Sequence, residues 1–125
     1  MRFRYCPRCA APLAPREIEQ GERLACSAPG CGFVHWDNPL PVVAALVEHE
    51  GRFILARNAK WPRRIFSLVT GFLEKQESPE QAVLREVKEE LNLDGAFSAF
   101  IGLYPFAEMN QLVIAFAVQA TGELR

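Results

Sequence analysis

All four cysteines of this chain lie within its first 31 residues, in the pattern C-x2-C-x16-C-x4-C. They are Cys6, Cys9, Cys26 and Cys31. Two short cysteine knuckles joined by a longer hairpin can place four thiolates around one tetrahedral Zn²⁺ ion, at ~2.3 Å from each sulfur, without straining the backbone. The count, the clustering and the spacing therefore predict a closed structural Zn²⁺ site, which stabilises a segment too small to fold alone.

Other arrangements of the same residues remain open. The thiols can stay free, or they can form disulfides, which a reducing compartment disfavours. The N-terminal stretch MRFRYCPRCA is positively charged but has no apolar run or cleavage-type segment after it, so we expect no secretory signal and a cytoplasmic protein. His35 is a candidate substitute ligand, but a lone histidine past the last cysteine is more often packed or hydrated.

Composition narrows the class of protein. The 125 residues are enough for one real core, and the chain has no run of ~18 apolar residues of the kind that a membrane span needs. Fourteen basic residues against fifteen acidic ones leave a net charge of -1. No overall basic field therefore favours nonspecific binding to nucleic acid, although local basic patches can still matter.

The proline-rich stretch HWDNPLP cannot run through a helix, and it predicts a boundary between a zinc ribbon at residues 1–36 and a second domain at residues 37–125. Apolar, β-branched runs in the second domain predict strands. They lie at Val42–Asn58 (two strands broken at Glu50-Gly51), Ile65–Thr70 (stopped by Gly71), Phe97–Tyr104 and Leu112–Thr121. With Asp94-Gly95 read as a turn and one helix, the order predicts an α+β fold.

The start and the end of that helix are both marked. Ser78 is a good N-cap, Pro79 suits the first helical position, and Gln81 completes an S-x-x-Q capping box. Asn92 stands where a residue in the left-handed conformation would close the helix. The predicted helix has about four turns.

The helix has two distinct faces at 100° per residue. The apolar face holds Val83, Leu84, Val87 and Leu91, and an adjacent face holds Glu86, Glu89 and Glu90. Such a charged face is usually just solvated. However, Mg²⁺ prefers carboxylate oxygens, and Glu86 and Glu90, one turn apart, can share such an ion. Arg85 can pair with Glu77 and hold the preceding loop against the helix.

The segment from Gly71 to Leu93 resembles the Nudix box, G-x5-E-x7-R-E-U-x-E-E-x-G-U with U aliphatic. The match comprises Gly71, Glu77, Arg85, Glu86, Val87, Glu89, Glu90 and Leu93, with Asn92 in place of a glycine. Asparagine is the commonest substitute for glycine in a left-handed cap, so the helix end should survive. Gln76 also stands where a second glycine is common, just before the first glutamate of the box.

The resemblance implies a Nudix-type mixed β-sheet with a catalytic helix. It also implies hydrolysis of a pyrophosphate bond in a nucleoside diphosphate linked to another group, with Mg²⁺ or Mn²⁺. Glu86 and Glu90 would be the main metal ligands, and Glu89 a third ligand or the base that activates water. Gly71 would offer its carbonyl, Glu74 is a candidate extra ligand, and Glu77 with Arg85 would be the structural pair.

A zinc ribbon before a Nudix domain resembles the NADH pyrophosphatase branch. Of the motif associated with NADH in that branch, SQPWPFPxS, this chain keeps only Pro105-Phe106. NADH, ADP-ribose, FAD and similar small nucleotides are therefore equal candidate substrates. Trp61 and Tyr104 are candidates for stacking on an adenine, and Arg57, Arg63 and Arg64 for binding phosphates, against core packing for the aromatics and solvation for the arginines.

The resemblance also bears on partners. Nudix domains usually continue past the last predicted strand, so the fold is expected to be trimmed, completed by a partner subunit or represented by a shortened chain, and relatives of this branch are often homodimers. Two further functions stay open. One is removal of a nucleotide cap from RNA, with the ribbon helping to bind the strand. The basic residues of the ribbon suggest it: Arg2, Arg4, Arg8 and Arg16. The other is a sensor that binds ADP-ribose or a similar ligand without cleaving it.

Overall fold

The structure is a computed structural model that describes residues 3–57 and 67–124. The chain divides into two compact units, Met1–Asn38 and Pro39–Arg125. The first unit holds a three-stranded antiparallel sheet in the order β1-β2-β3. Its strands are β1 (Leu13–Ile18), β2 (Gly21–Cys26) and β3 (Val34–His35).

The second unit contains a five-stranded mixed sheet and one α-helix among the described residues. The sheet has the order β5-β4-β8-β7, with β6 paired to β4, and β4 and β8 are its parallel pair. The strands are β4 (Leu40–His49), β5 (Arg52–Ile54), β6 (Val69–Phe72), β7 (Asp94–Phe106) and β8 (Gln111–Thr121), and α1 spans Pro79–Leu91. The predicted α+β class with a mixed sheet is confirmed.

The core of the second unit lies between α1 and one face of this sheet. Val83 and Val87 of α1 are fully buried, and they belong to one apolar cluster with Val43 of β4 and Val118 of β8. Each such side chain contributes roughly 1.5–3 kcal/mol to stability when it is removed from water. Packing of the predicted apolar face therefore sets the orientation of α1, and the acidic face is left at the edge of the core.

Both ends of α1 have the predicted caps. The Gln81 amide donates to the Ser78 hydroxyl at 3.1 Å, and the Ser78 amide donates to the Gln81 side chain at 2.9 Å. Asn92 closes the helix with φ of 60°. Within the described ranges, no helix has the length and apolar character required to cross a membrane.

Two local predictions are wrong. Gly71 does not stop its strand, because it pairs with Val43 inside β6. Asp94-Gly95 is not a turn but the start of β7, where Gly95 pairs with Ala120. The space around Gly95 explains the glycine, since a Cβ there would approach Val118 Cγ1 to 2.8 Å and Leu84 Cδ2 to 3.0 Å. This glycine serves close packing of the strand against the helix.

Candidate active site and metal centre

The site is organised by Arg85, which lies on α1 and reaches back to the loop before it. Its Nε donates to Glu77 Oε2 at 2.7 Å, and its Nη2 donates to Glu77 Oε1 at 2.9 Å. Nη2 also donates to the carbonyl of Phe72 at 3.0 Å, at the end of β6. Two parallel hydrogen bonds between charged groups make a strong and directional pair. Arg85 thus ties the strand end and the loop to the helix.

The remaining nitrogen of Arg85 faces the carboxylates. Its Nη1 donates to Glu86 Oε1 at 2.9 Å and to Glu89 Oε2 at 3.2 Å, and it lies 3.5 Å from Glu74 Oε1. Arg85 therefore neutralises part of the charge of the acidic face. Four of the predicted site carboxylates therefore meet around this one guanidinium group: Glu74, Glu77, Glu86 and Glu89.

Glu77 is held as a carboxylate. The hydrogen bonds from Arg85 come first among the causes and the backbone amide of Glu74 adds to them, which together lower the pKa of Glu77 from its ordinary 4.5 to about 2. The same pairing raises the pKa of Arg85. Only 13% of the Glu77 side chain is exposed, so protonation would leave a shielded arginine without its main partner.

Glu77 gives the fold a defined acid sensitivity. Because its pKa is depressed on folding, its contribution to stability is complete above pH 4.5 and disappears as the pH falls from 4.5 towards 2. We expect Glu77→Gln to remove this part of the acid dependence. Urea unfolding between pH 5.5 and pH 2.5, followed by the helical circular-dichroism signal, measures it.

Glu80→Gln is the matched control for that measurement. It removes an exposed carboxylate from the first turn of the same helix and leaves the pair of Glu77 and Arg85 intact. The control should keep the wild-type decrease in stability on acidification. Equal curves for wild type and Glu77→Gln would contradict the role assigned to the pair.

Glu86 lies directly against the backbone of Gly71. A Cβ atom built at Gly71 would overlap the side chain of Glu86, so only glycine leaves room for this carboxylate beside β6. The Glu86 side chain is only 13% exposed. The structure therefore places the backbone of Gly71 beside the carboxylate of Glu86, two of the groups predicted to bind a metal ion. A glycine at this position indicates in the sequence that something approaches the backbone closely. It does not indicate that the neighbour is Glu86.

The acidic face has the electrostatics of a cation site. Burial raises the pKa of Glu90, and the negative charges of Glu86 and Glu89 raise it further. A divalent cation would relieve this repulsion, and carboxylates with a backbone carbonyl are the donors that Mg²⁺ and Mn²⁺ prefer. The residues therefore fit such an ion. In the described ranges these carboxylates do not form a group of three at metal-binding distance, and Arg85 donates hydrogen bonds to two of them, Glu86 and Glu89.

The four cysteines do form such a group. Their sulfur atoms all lie within 4.8 Å of one another, with 3.7 Å between Cys6 and Cys31 and 3.4 Å between Cys9 and Cys26. Tetrahedral ligands at ~2.3 Å from Zn²⁺ are ~3.8 Å apart. These separations fit metal ligation and are too long for S–S bonds of ~2.05 Å. His35 does not belong to the group and contacts the ring of Phe3 instead.

Hydrogen bonds and the closeness of the four sulfurs change the pKa values of two of these thiols. Burial raises the pKa of Cys6, but the backbone amides of Arg8 and Cys9 and the neighbouring thiols lower it to about 7. The Ala28 amide lowers the pKa of Cys26, but burial and the other three cysteines raise it to about 12. Four sulfurs at this distance cannot all ionise without a positive charge among them, so the donor set fits Zn²⁺.

The predicted substrate-binding residues are only partly described. Tyr104 lies on β7 opposite Val113 with about half of its side chain exposed, and Arg57 is exposed just after β5. Trp61, Arg63 and Arg64 lie outside the described residues. The sequence did not predict one contact of the site, the hydrogen bond from Arg85 to the carbonyl of Phe72. Backbone acceptors carry no side-chain signature, so no pattern could have predicted it.

Comparison with known proteins places this geometry in a family. Residues 38–125 match the NUDIX domain family. The chain belongs to the Nudix family. A solved Nudix hydrolase from Nitrosomonas europaea superimposes with a TM-score of 0.82 at 27% identity, covering 96% of this chain and 69% of that protein. The Nudix fold and its helix are thus confirmed by a structure that also spans the cysteine-rich unit.

Curated relatives of this Nudix protein match along almost the same length. A protein named NAD-capped RNA hydrolase NudC from Stutzerimonas stutzeri is 31% identical over 119 residues, which is 95% of this chain and 42% of that protein. Another of that name from Vibrio atlanticus is 28% identical over 120 residues, which is 96% of this chain and 43% of that protein. The chain thus spans less than half the length of these two relatives.

Proposed function

We propose that this Nudix protein hydrolyses a pyrophosphate bond in a nucleoside diphosphate derivative, such as NADH, ADP-ribose or FAD, and releases a nucleoside monophosphate. The observation that carries the proposal is the ring of contacts around Arg85. It fixes Glu77 and the end of β6 on one side, and it contacts Glu86 and Glu89 on the other. A solvated helix face needs no such arrangement, because exposed charge pairs add little to stability.

Each residue then has a separate role. Glu77 and Arg85 position the loop, and Glu86, Glu90 and the Gly71 carbonyl hold a divalent cation, with Glu74 as a further ligand. Glu89 is a third ligand or takes the proton of the water that attacks phosphorus as the P–O bond of the pyrophosphate breaks. The bound Mg²⁺ or Mn²⁺ would neutralise the developing charge on the leaving phosphate and lower the pKa of the water.

A second candidate substrate is RNA that carries a nucleotide cap. The relatives named NAD-capped RNA hydrolase match this chain over both units, and the bond to be cleaved is of the same kind. The same carboxylates would act in both reactions. The two substrates differ only in the group attached to the nucleoside diphosphate, so the chemistry of the site does not separate them.

A substrate panel tests the proposal. Purified protein would be incubated with NADH, ADP-ribose, FAD, a diadenosine compound and NAD-capped RNA, each with Mg²⁺ or Mn²⁺. We expect release of AMP, or of RNA with a 5′-monophosphate, from at least one of them. Binding of ADP-ribose without release from any compound would favour the sensor instead and would overturn the proposed hydrolysis.

The ion at the four cysteines is Zn²⁺ in this proposal. The sulfur distances support it, and so does the thiolate chemistry of the donors. Because four reduced thiols at this spacing persist in a reducing compartment, we also infer a cytoplasmic location. Elemental analysis of protein purified under reducing conditions should find one zinc per chain.

We also propose a homodimer. Strand β7 is at one end of the sheet, and its outer edge has no partner strand in the part of the chain that the structure describes. Large apolar side chains along it are about half exposed: Phe97, Phe100, Leu103 and Tyr104. A long apolar edge of this kind favours association between chains. Sedimentation velocity of the purified chain measures the state directly.

A further inference from the structure

The first unit contains a pocket that has no part in the proposed hydrolysis. It encloses about 320 Å³, near the small end of the range for ligand pockets. Strand β3 ends at His35, which pairs with Leu24 of β2. Residues 21–23 of β2 extend beyond that end, and the pocket lies there. Its lining includes Phe3, Glu22, Arg23, His35, Trp36 and Asp37.

Three aromatic rings line this pocket, those of Phe3, His35 and Trp36. Trp36 is 38% exposed. A large apolar side chain of this kind is usually more deeply buried. The rings of Phe3 and His35 meet edge-on with their centroids 4.7 Å apart. An exposed indole beside two further rings is a surface on which a flat, unsaturated ligand can stack.

Arg23 supplies the cationic part of the pocket. Its guanidinium carbon lies 5.5 Å from the centre of the Trp36 ring. Over the described ranges, its buried Nε has no hydrogen-bond partner and no carboxylate forms an ion pair with it. Packing beside Gly21 and Trp36 therefore holds the group, not salt bridges. A planar cation in this state can donate to the oxygen and nitrogen acceptors of a base or to a phosphate.

The wider unit has the same chemistry. Residues 1–38 contain five arginines and no lysine. Another of these arginines, Arg8, lies 6.0 Å from the ring of Phe33. Interleaved arginine and aromatic groups are typical of surfaces that bind single-stranded nucleic acid, because every base offers a face for stacking and every phosphate an acceptor. A peptide would have less use for a flat aromatic surface beside a guanidinium group that forms no ion pair with a carboxylate.

We propose that this pocket binds one unpaired base of a single-stranded RNA. The base stacks on Trp36, and the Arg23 guanidinium group donates to the acceptors on its edge. Glu22 also lines the pocket, and its carboxylate can accept a hydrogen bond from an exocyclic amine. Binding here is separate from hydrolysis, and it does not require that the second unit cleave anything.

The test uses short single-stranded RNA with a 5′-hydroxyl group and no diphosphate. An adenosine oligomer labelled at its 3′ end is titrated with the full zinc-loaded chain, and fluorescence anisotropy measures its dissociation constant. We expect Trp36→Ala to weaken binding by about fivefold or more, the usual loss when one stacked base loses its aromatic partner. Arg23→Gln should weaken binding and also reduce its dependence on salt.

Two matched controls lie on the same unit but outside the pocket. Tyr5→Ala removes an exposed aromatic ring, and Arg4→Gln removes an exposed arginine that does not line the pocket. Each should change the dissociation constant by less than about twofold. Zinc content per chain reports whether each variant keeps its fold, and the rate of ADP-ribose hydrolysis, which the pocket should not affect, reports the other unit.

The results separate this proposal from the proposed hydrolysis. It is overturned if wild-type protein binds no RNA, if Trp36→Ala binds as wild type does, or if Tyr5→Ala weakens binding as much as Trp36→Ala. If Trp36→Ala loses its zinc, Trp36→Phe and Arg23→Gln replace it, and full binding by both would overturn the proposal. Loss of hydrolysis by wild type, with RNA binding retained, would count against the proposed enzyme alone.

Discussion

Replacing Glu86 by glutamine is expected to lower metal-dependent hydrolysis by about 10³-fold while the fold stays intact. The substitution keeps the shape of a side chain that fits against the backbone of Gly71, and it removes the charge that a divalent cation requires. Glu90→Gln should act in the same direction. The measurement is the initial rate of AMP release from the best substrate of the panel, across a range of Mg²⁺ concentrations.

Glu80→Gln is the control for this loss as well, because it removes one negative charge from the same helix outside the acidic face. It should keep the wild-type rate within about twofold. Circular dichroism and zinc content should be unchanged in all of these variants. If Glu86→Gln hydrolysed the substrate at the wild-type rate, the proposed metal site on this helix would be wrong.

Replacing Cys26 by serine should have the largest effect on stability. Cys26 is buried at the end of β2, and its sulfur lies 3.4 Å from that of Cys9. Structural Zn²⁺ supplies on the order of 10–16 kcal/mol in small zinc-dependent peptides, far more than a three-stranded sheet of this size can replace. We expect the zinc content of the variant to fall well below one ion per chain. We also expect the β1-β2-β3 sheet to be lost.

Two measurements check that loss. Elemental analysis gives the metal content, and amide hydrogen exchange compares residues 3–38 with α1 in the same sample. Exchange should become fast in the first unit of Cys26→Ser and stay slow in α1, while Arg16→Gln should match wild type in both. Slow exchange throughout the first unit of Cys26→Ser would contradict a zinc-dependent ribbon, and so would wild-type protein without zinc.

Local signals in the sequence were enough to predict the helix and the approximate positions of most strands of the second unit. The caps at Ser78 and Asn92 and the apolar face of α1 depend on neighbours within a turn, so their residue types alone predict them. Glycine was less informative. The end of an apolar run predicts a break at Gly71 and the Asp94-Gly95 pair predicts one at Gly95, yet both lie in strands, because each makes room for a side chain from a distant part of the chain.

Some features of the candidate site could likewise be predicted from the sequence, and others could not. The placement of Glu86 and Glu90 on one side of α1 could be predicted from their spacing, because a helix places residues four apart on the same face. The sequence predicted Glu77 as the partner of Arg85, but not that Glu86 and Glu89 share the same guanidinium group. That Nη1 contacts both Glu86 and Glu89, with Nη2 on the carbonyl of Phe72, depends on how α1 crosses the end of β6.

The cysteine quartet, the capped helix and the Nudix box could all be predicted from residue types, since each is a pattern at short or regular spacing. Two contacts could not: Glu86 fills the space beside Gly71, and Arg23 lies by Trp36 at the end of β3. These contacts join segments far apart in the chain or depend on where a neighbouring strand ends. Packing and sheet register produce them, and no local pattern encodes them.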